Sequence, residues 1–333
     1  MTTGTSPQRQ TAPAMSRGTL AFVCLLVLGV LIAVPFNARL NADETVATAA
    51  TIFAGVFLQA VPFLVLGTVV SGAIATWVTP AMVARVLPRQ TAAAIGVGGL
   101  AGAVLPGCEC ASVPVAARLM DRGVPQAAAL AFLLSAPAIN PVVLVSTAVA
   151  FPGEPRMVAA RFGASLLTAL VMGGLWARYG DPSLILRRIS PGDDDGPRGW
   201  PRFAEAVRHD FIESAAYLAL GAVAVAALHV VVPDWLFEKV AGQMLIGIAL
   251  MAVLAVVLAV CSEADAFVAA SLSMLPLLPR LVFLVVGPVV DLKLIAMQAG
   301  AFGKRFAARF STATFLVAIA VATGVGAAIL GWR

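Results

Sequence analysis

The chain has 333 residues, of which 60% are hydrophobic and 12% charged, with a mean hydropathy of +0.96. An ordinary soluble domain is about 25% charged, so composition excludes a water-soluble globular enzyme and points to an integral membrane protein. The formal charge of +5 is dispersed through loops, which argues against a nucleic-acid-binding face, and the four cysteines lie in or beside apolar segments, which argues against a disulfide framework.

Residues 1–18 are polar and read as a disordered cytoplasmic N-terminus. The apolar run 19–36 follows Arg9 and Arg17, is long for the core of a signal peptide and has no small-x-small site after it, so an extra N-terminal membrane helix is expected there. Further apolar runs occupy 46–78, 92–105, 124–151, 157–177, 210–232, 241–260, 281–299 and 310–331. Each approaches the roughly 20 residues that a helix needs to cross a bilayer. They are apolar all round and do not alternate, so the expected fold is all-α and polytopic, with about 8–11 membrane segments.

The longest polar stretch, RRISPGDDDGPRGWPR at 187–202, is rich in Gly, Pro and Asp and reads as part of a cytoplasmic linker over 179–208. With the N-terminus inside, thirteen Lys and Arg fall on inside segments against four outside, the bias expected of cytoplasmic loops.

The segments on either side of the linker repeat. FLQAVPFLVLG at 57–67 aligns with FIESAAYLALG at 211–221, CECASVPVAARL at 108–119 with CSEADAFVAASL at 261–272, and APAIN at 136–140 with GPVVD at 287–291. Three matches in the same order at offsets of 154, 153 and 151 residues describe a duplication, with repeats over 46–178 and 209–331. The first begins outside and the second inside, so the repeats are expected to be inverted, as in many secondary transporters.

In the middle of each repeat the helices are expected to break. Pro106 and Gly107 should stop a helix that begins near Ala92, Pro114 should limit its restart, and Pro137 and Pro141 should interrupt the run 124–151. Pro276, Pro279, Gly287 and Pro288 do the same in the second repeat. Non-helical backbone at membrane depth is tolerated only when it is buried in protein or lines a cavity, so paired breaks in two halves point to a transport site.

The deep polar residues gather at these breaks: Cys108, Glu109, Cys110, Ser112, Ser135 and Asn140 in the first repeat, and Cys261, Ser262, Glu263, Asp265, Asp291 and Lys293 in the second. An ionised carboxylate at the bilayer centre costs at least ~2.5 kcal/mol, so such groups are paired or functional. Glu109, Glu263, Asp265 and Asp291 are the expected proton carriers; the competing placement is a helix end in the interface, where the penalty is small. One reading has Asp291 and Lys293 simply neutralise each other, although a pair two apart on a helix should point in different directions. Cys108 and Cys110 face one side only if the segment is extended. If pseudo-symmetry then brings Cys261 opposite, three thiols converge and favour soft species such as Cu(I), Zn(II) or trivalent arsenic, with Asn140 and Ser135 completing the substrate ligands. The alternative is that these cysteines are small apolar fillers, as Cys24 is taken to be.

PGCECASVPVAARL, GVPQAAALAFLLSAPAINPVVL and GPVVDLKL together resemble the bacterial predicted-permease family that contains the trivalent organoarsenical efflux permeases. The resemblance covers about residues 50–330 and implies a multi-helix secondary exporter in the inner membrane. For the organoarsenical branch it implies thiol capture of arsenic, while other members are associated with metal efflux. Cys108, Glu109, Cys110, Pro137 and Asn140 match its first motif and Gly287, Pro288 and Asp291 its second. CSEAD at 261–265 departs from the family by an extra acidic residue and a missing proline, which puts the substrate in doubt.

No phosphate-binding G-x-x-x-x-G-K-[ST] loop occurs in the chain, so proton coupling without ATP hydrolysis or any cofactor is the expected energy source. The expected partners are a small-molecule or ion substrate and membrane lipid, with no nucleic acid and with room for a homo-oligomer. Two other classes stay open: a membrane-embedded redox or hydrolytic enzyme built on the C-x-C turn and the carboxylates, and a scaffold for another transporter. His209 and His229 stand alone at the two ends of one expected helix and offer no H-E-x-x-H metal motif.

Overall fold

A computed structural model describes residues 44–104, 109–185, 199–231, 244–258, 261–273 and 275–331. The chain divides into residues 1–48 and 49–333, and all that follows concerns the second unit apart from the first turn of one helix. The expected disordered N-terminus and helix over 19–36 lie outside the described residues, as do Pro106, Gly107 and Cys108.

Every regular element among the described residues is helical, and the chain is an all-α polytopic membrane protein. In order the helices are α1 (Glu44–Trp77), α2 (Pro80–Val86), α3 (Thr91–Ala101), α4 (Glu109–Asp121), α5 (Gln126–Ile139), α6 (Pro141–Ala150) and α7 (Pro155–Tyr179). Then follow α8 (Trp200–Val231), α9 (Met244–Leu258), α10 (Ala264–Ser271), α11 (Leu277–Val286), α12 (Leu292–Ala301) and α13 (Lys304–Ile329). Among the described residues four stretches are long and apolar enough to cross a bilayer: Phe53–Trp77, Gln126–Ala150, Pro155–Tyr179 and Lys304–Ile329. The second of these contains the junction between α5 and α6. By contrast, α3 with 11 residues and α11 with 10 are apolar but short. At 1.5 Å per residue each covers only about half of a ~30 Å hydrocarbon core, so a crossing that uses them is assembled from pieces.

Several boundaries differ from the sequence expectation. The helix that begins near Ala92 ends at Ala101, before Pro106 is reached. Pro114 does not limit the next helix but sits inside α4, where it has no N–H to add to the helical ladder. Pro137 likewise lies within α5, and the chain breaks only at Asn140. The run 281–299 is divided between α11 and α12 by the segment 287–291, which holds Gly287 and Pro288. Residues 200–208, read from composition as linker, form the first turns of α8.

The packing pattern repeats. Helix α3 packs on α5 as α9 packs on α11; α5 packs on α7 as α11 packs on α13; α4 packs on α5 as α10 packs on α11; α6 packs on α7 as α12 packs on α13. Between the two sets, α4 packs on α12 and α10 on α6, so each short helix leans on the half-helix that follows the break in the other set. Helices α5 and α11 occupy matching central places, buried from Ala127 to Ile139 and, apart from Arg280, from Leu278 to Val286 respectively. Close approach relies on small residues, as is usual between membrane helices. A β-carbon at Gly98 of α3 would overlap the Ala128 carbonyl of α5.

Candidate functional site

Each of the four interior helix starts is built by a polar residue at or beside it. At the α5–α6 break the backbone N–H of Val143 donates to Asn140 Oδ1 at 2.9 Å, while Asn140 Nδ2 donates back to the Ala136 carbonyl at 3.1 Å. One side chain thus joins the end of α5 to the start of α6, and Pro141 occupies the first position of α6, where no N–H is needed. At the α11–α12 break Asp291 has extended backbone and its Oδ1 accepts from the Leu294 N–H. Glu109 opens α4, and its carbonyl accepts from Ser112 Oγ at 2.9 Å. Asp265 lies in the first turn of α10, preceded by Glu263. The N-terminal ends of α4, α10 and α12 carry the positive pole of the helix dipole, which favours the carboxylates held there away from water.

Bonds across the two halves draw these ends into one cluster. Lys293 Nζ, fully buried, donates to Glu109 Oε1 at 2.9 Å and stands 3.6 Å from Asp291 Oδ2. Ser262 Oγ donates to Glu109 Oε2 at 3.1 Å. From the other direction Arg161 of α7, also fully buried, donates to Thr147 Oγ1 of α6 at 2.6 Å and to the Ser262 carbonyl at 2.8 Å. Each half therefore sends one buried cation to the interior turn of the other. Asp265, 3% exposed, lies within electrostatic reach of Arg161, Glu109, Lys293 and Asp291, yet its Oδ1 has no hydrogen-bond partner; the same holds for Arg161 Nε. Gly287 leaves the space for that carboxylate, since a β-carbon there would stand 2.9 Å from Asp265 Oδ2.

The expectation that Asp291 and Lys293 point apart fails, because Asp291 is an extended N-cap outside the helix that Lys293 belongs to. Of the C-E-C segment, Glu109 and Cys110 are not extended but lie in the first turn of α4. Cys110 is fully buried and Cys261 2% exposed, and both lie within electrostatic reach of the Lys293 ammonium. Ser135 is buried in α5 and donates to the Phe132 carbonyl at 3.2 Å. Glu263 is half-buried at the edge of the cluster. Among the described residues no group of three or more His, Cys, Asp or Glu is arranged to hold a metal ion. Arg161 escaped the sequence reading, although a lone arginine inside the apolar run 157–177 is a visible signal.

A second polar cluster lies where α1, α4 and α8 meet. Arg118 of α4 grips Asp210 of α8 with two bonds, Nε to Oδ2 at 3.1 Å and NH2 to Oδ1 at 2.7 Å. Ser71 of α1 donates to the same Oδ2 at 2.6 Å, and Arg122 bonds the Ala75 carbonyl. Far from standing alone, His209 places Nδ1 3.5 Å from Asp210 Oδ1 and 4.0 Å from Glu213 Oε2. It sits half-exposed before the apolar part of α8, and its pKa lies above the ordinary 6.5, chiefly through the bond to Asp210. Arg118, Asp121, Asp210, Glu213 and Met297 line a cavity of about 100 Å³ here.

The model of the family described as "Predicted permease" matches residues 45–326. The chain is 35% identical over 278 residues to the UPF0718 protein YcgR of Bacillus subtilis (strain 168), covering 82% of this chain and 94% of that one. It is 32% identical over 282 residues to a Streptococcus mutans serotype c protein described as a candidate subunit of a two-component membrane permease complex, covering 83% of this chain and 94% of the other. No solved structure matches. With a helical membrane fold, interior breaks bearing buried charge, and a family match over most of its length, the chain belongs to the predicted permease family.

Proposed function

We propose that this permease is a secondary-active exporter of a small thiophilic solute, a trivalent arsenical or a soft metal ion, driven by protons across a bacterial inner membrane. The observation that carries this is that one buried thiol from each half, Cys110 and Cys261, lies within electrostatic reach of the same ammonium, Lys293, which is bonded to the carboxylate at an interior helix start. Thiolates prefer soft ions, and a cluster shared by two halves is where alternating access would expose a site to either face. Cys108 lies two residues before Cys110 and is proposed as the third ligand.

Among the carboxylates, Asp265 is the proposed proton carrier. Glu109 is held by Lys293 and Ser262, and Asp291 is committed to capping α12 and to Lys293. Asp265 alone of the three offers a buried oxygen without a hydrogen bond. The excess of Lys and Arg on the segments 79–91, 178–209 and 303–309 supports a cytoplasmic placement of that face. A second subunit is proposed on the strength of the Streptococcus relative's description.

Everted vesicles provide the test. Uptake of methylated trivalent arsenic, Cu(I) and Zn(II) is measured with wild type and with Cys108→Ser, Cys110→Ser and Cys261→Ser. Loss of thiophile uptake in the serine variants is expected, and uptake indifferent to all three removes the thiol site. Uptake by Asp265→Asn that keeps the wild-type pH dependence removes Asp265 as the carrier.

A further inference from the structure

We propose that the Arg118–Asp210 pair, with Ser71, is a latch that closes the basic face of the permease over the buried cluster, and that its rupture opens the cluster to that face. This rests on the reading of the chain as an alternating-access permease.

Three helices from both halves meet in the latch: Ser71 on α1, Arg118 on α4 and Asp210 on α8. Both ionic side chains are 10% exposed, so the pair is largely desolvated while lying near the end of the bundle. A two-bond guanidinium–carboxylate fork is strong and geometrically selective, which suits an element with one closed arrangement. Helix α4 connects the latch to the cluster. Its first residue, Glu109, is bonded to Lys293, and Arg118 lies nine residues on, about 13.5 Å along the axis. One half-helix is therefore fastened at its inner end to the cluster and at its outer end to α8, with Arg122 adding a bond to α1. The cavity of about 100 Å³ beside Arg118 has room for several water molecules, and Asp121, Asp210 and Glu213 stand in its otherwise largely apolar lining.

The duplication supplies the decisive contrast. At the offsets of 153 and 154 residues, the counterparts of Arg118 and Asp210 are Ser271 and Val56. Ser271 is exposed and donates only to the Val268 carbonyl of its own helix, at 2.7 Å. Helix α4 is buried continuously from Glu109 to Ala116, whereas its counterpart α10 exposes Phe267 by 50%. One face is thus bolted by charge, and among the described residues the counterpart position Ser271 makes no such bond across helices, the asymmetry expected of a single state of an alternating-access cycle.

The test reads accessibility of Cys110 and needs no substrate. Everted and right-side-out vesicles are treated with a membrane-impermeant, positively charged methanethiosulfonate, and modification of the Cys110 peptide is followed by mass spectrometry. Wild type is expected to react slowly in both. Asp210→Asn, which preserves shape, and Arg118→Gln are expected to react roughly tenfold faster in one vesicle orientation only, as the closed state loses population. The charge swap Arg118→Asp with Asp210→Arg is expected to restore slow reaction. No acceleration, equal acceleration in both orientations, or acceleration that the swap fails to reverse overturns the latch. A positive result alongside failed thiophile uptake retains the latch and removes the proposed solute, and the orientation that accelerates identifies the compartment of the basic face.

Discussion

Asn140 and Asp291 hold the same place in the two halves and do the same work: each is an extended residue whose side-chain oxygen accepts the N–H three residues on and so starts a half-helix deep in the protein. They differ by one charge, and only Asp291 has Lys293 beside it.

That difference makes the two caps separable. Asp291→Asn keeps the cap and is expected to unfold near wild type, whereas Asp291→Ala should lose about 0.5–2 kcal/mol, the usual cost of removing a cap. Asn140→Asp keeps the cap oxygen but adds a buried charge, and is expected to lose more than Asp291→Asn. Denaturant unfolding in detergent, followed by circular dichroism, ranks the three.

The Glu109–Lys293 bond predicts non-additivity. Removing either partner leaves a buried charge, and breaking such a pair typically costs about 3–5 kcal/mol. Glu109→Gln and Lys293→Met are each expected to lower the thermal midpoint strongly, and the double variant to recover part of the loss. A double variant as unstable as the sum of the two singles would contradict the pairing.

Gly287→Ala tests the room left for Asp265. Its β-carbon would crowd Oδ2 at 2.9 Å, so the carboxylate must move while α11 stays helical. The expected outcome is an unchanged helix content with transport reduced by up to about a hundredfold, the scale on which a misplacement of about 1 Å at a site is felt. Vesicle uptake beside circular dichroism separates the two effects.

For His209 the sign follows from a raised pKa. Protonation is favoured in the folded state, so its contribution to stability is full below the unfolded value near 6.5 and disappears as pH rises through the higher folded value. The melting difference between wild type and His209→Gln is expected to be largest at acid pH and to shrink as the solution becomes alkaline. A difference that grows with pH would contradict the bond to Asp210.

Much of this was legible in the sequence. The apolar runs gave the membrane class, the Pro and Gly residues marked 137–141 and 287–291 as places where helices give way, and the aligned pair Asn140 and Asp291 pointed to matching turns. What failed did so for geometric reasons. Lys293 was set apart from Asp291 by applying helical angles to an N-cap that is extended, at φ −139 and ψ 168. The shared face of Cys108 and Cys110 depends on extended chain, whereas α4 has already begun at Glu109. Arg161 vanished into the average of an apolar run, and Arg118 and Asp210, 92 residues apart, carry no local pattern that joins them.

The bond between Glu109 and Lys293 also dictates an order of events during synthesis. The carboxylate is made 184 residues before its ammonium, which at about 5–20 residues per second leaves it waiting roughly 10–40 s. Through that interval the first half must keep Glu109 in contact with water or the insertion machinery, and Arg161 must wait in the same way for the Ser262 carbonyl. The interior turns can therefore close only after both halves have been delivered to the bilayer, so a chain truncated before Lys293 would leave the Glu109 carboxylate without its ammonium.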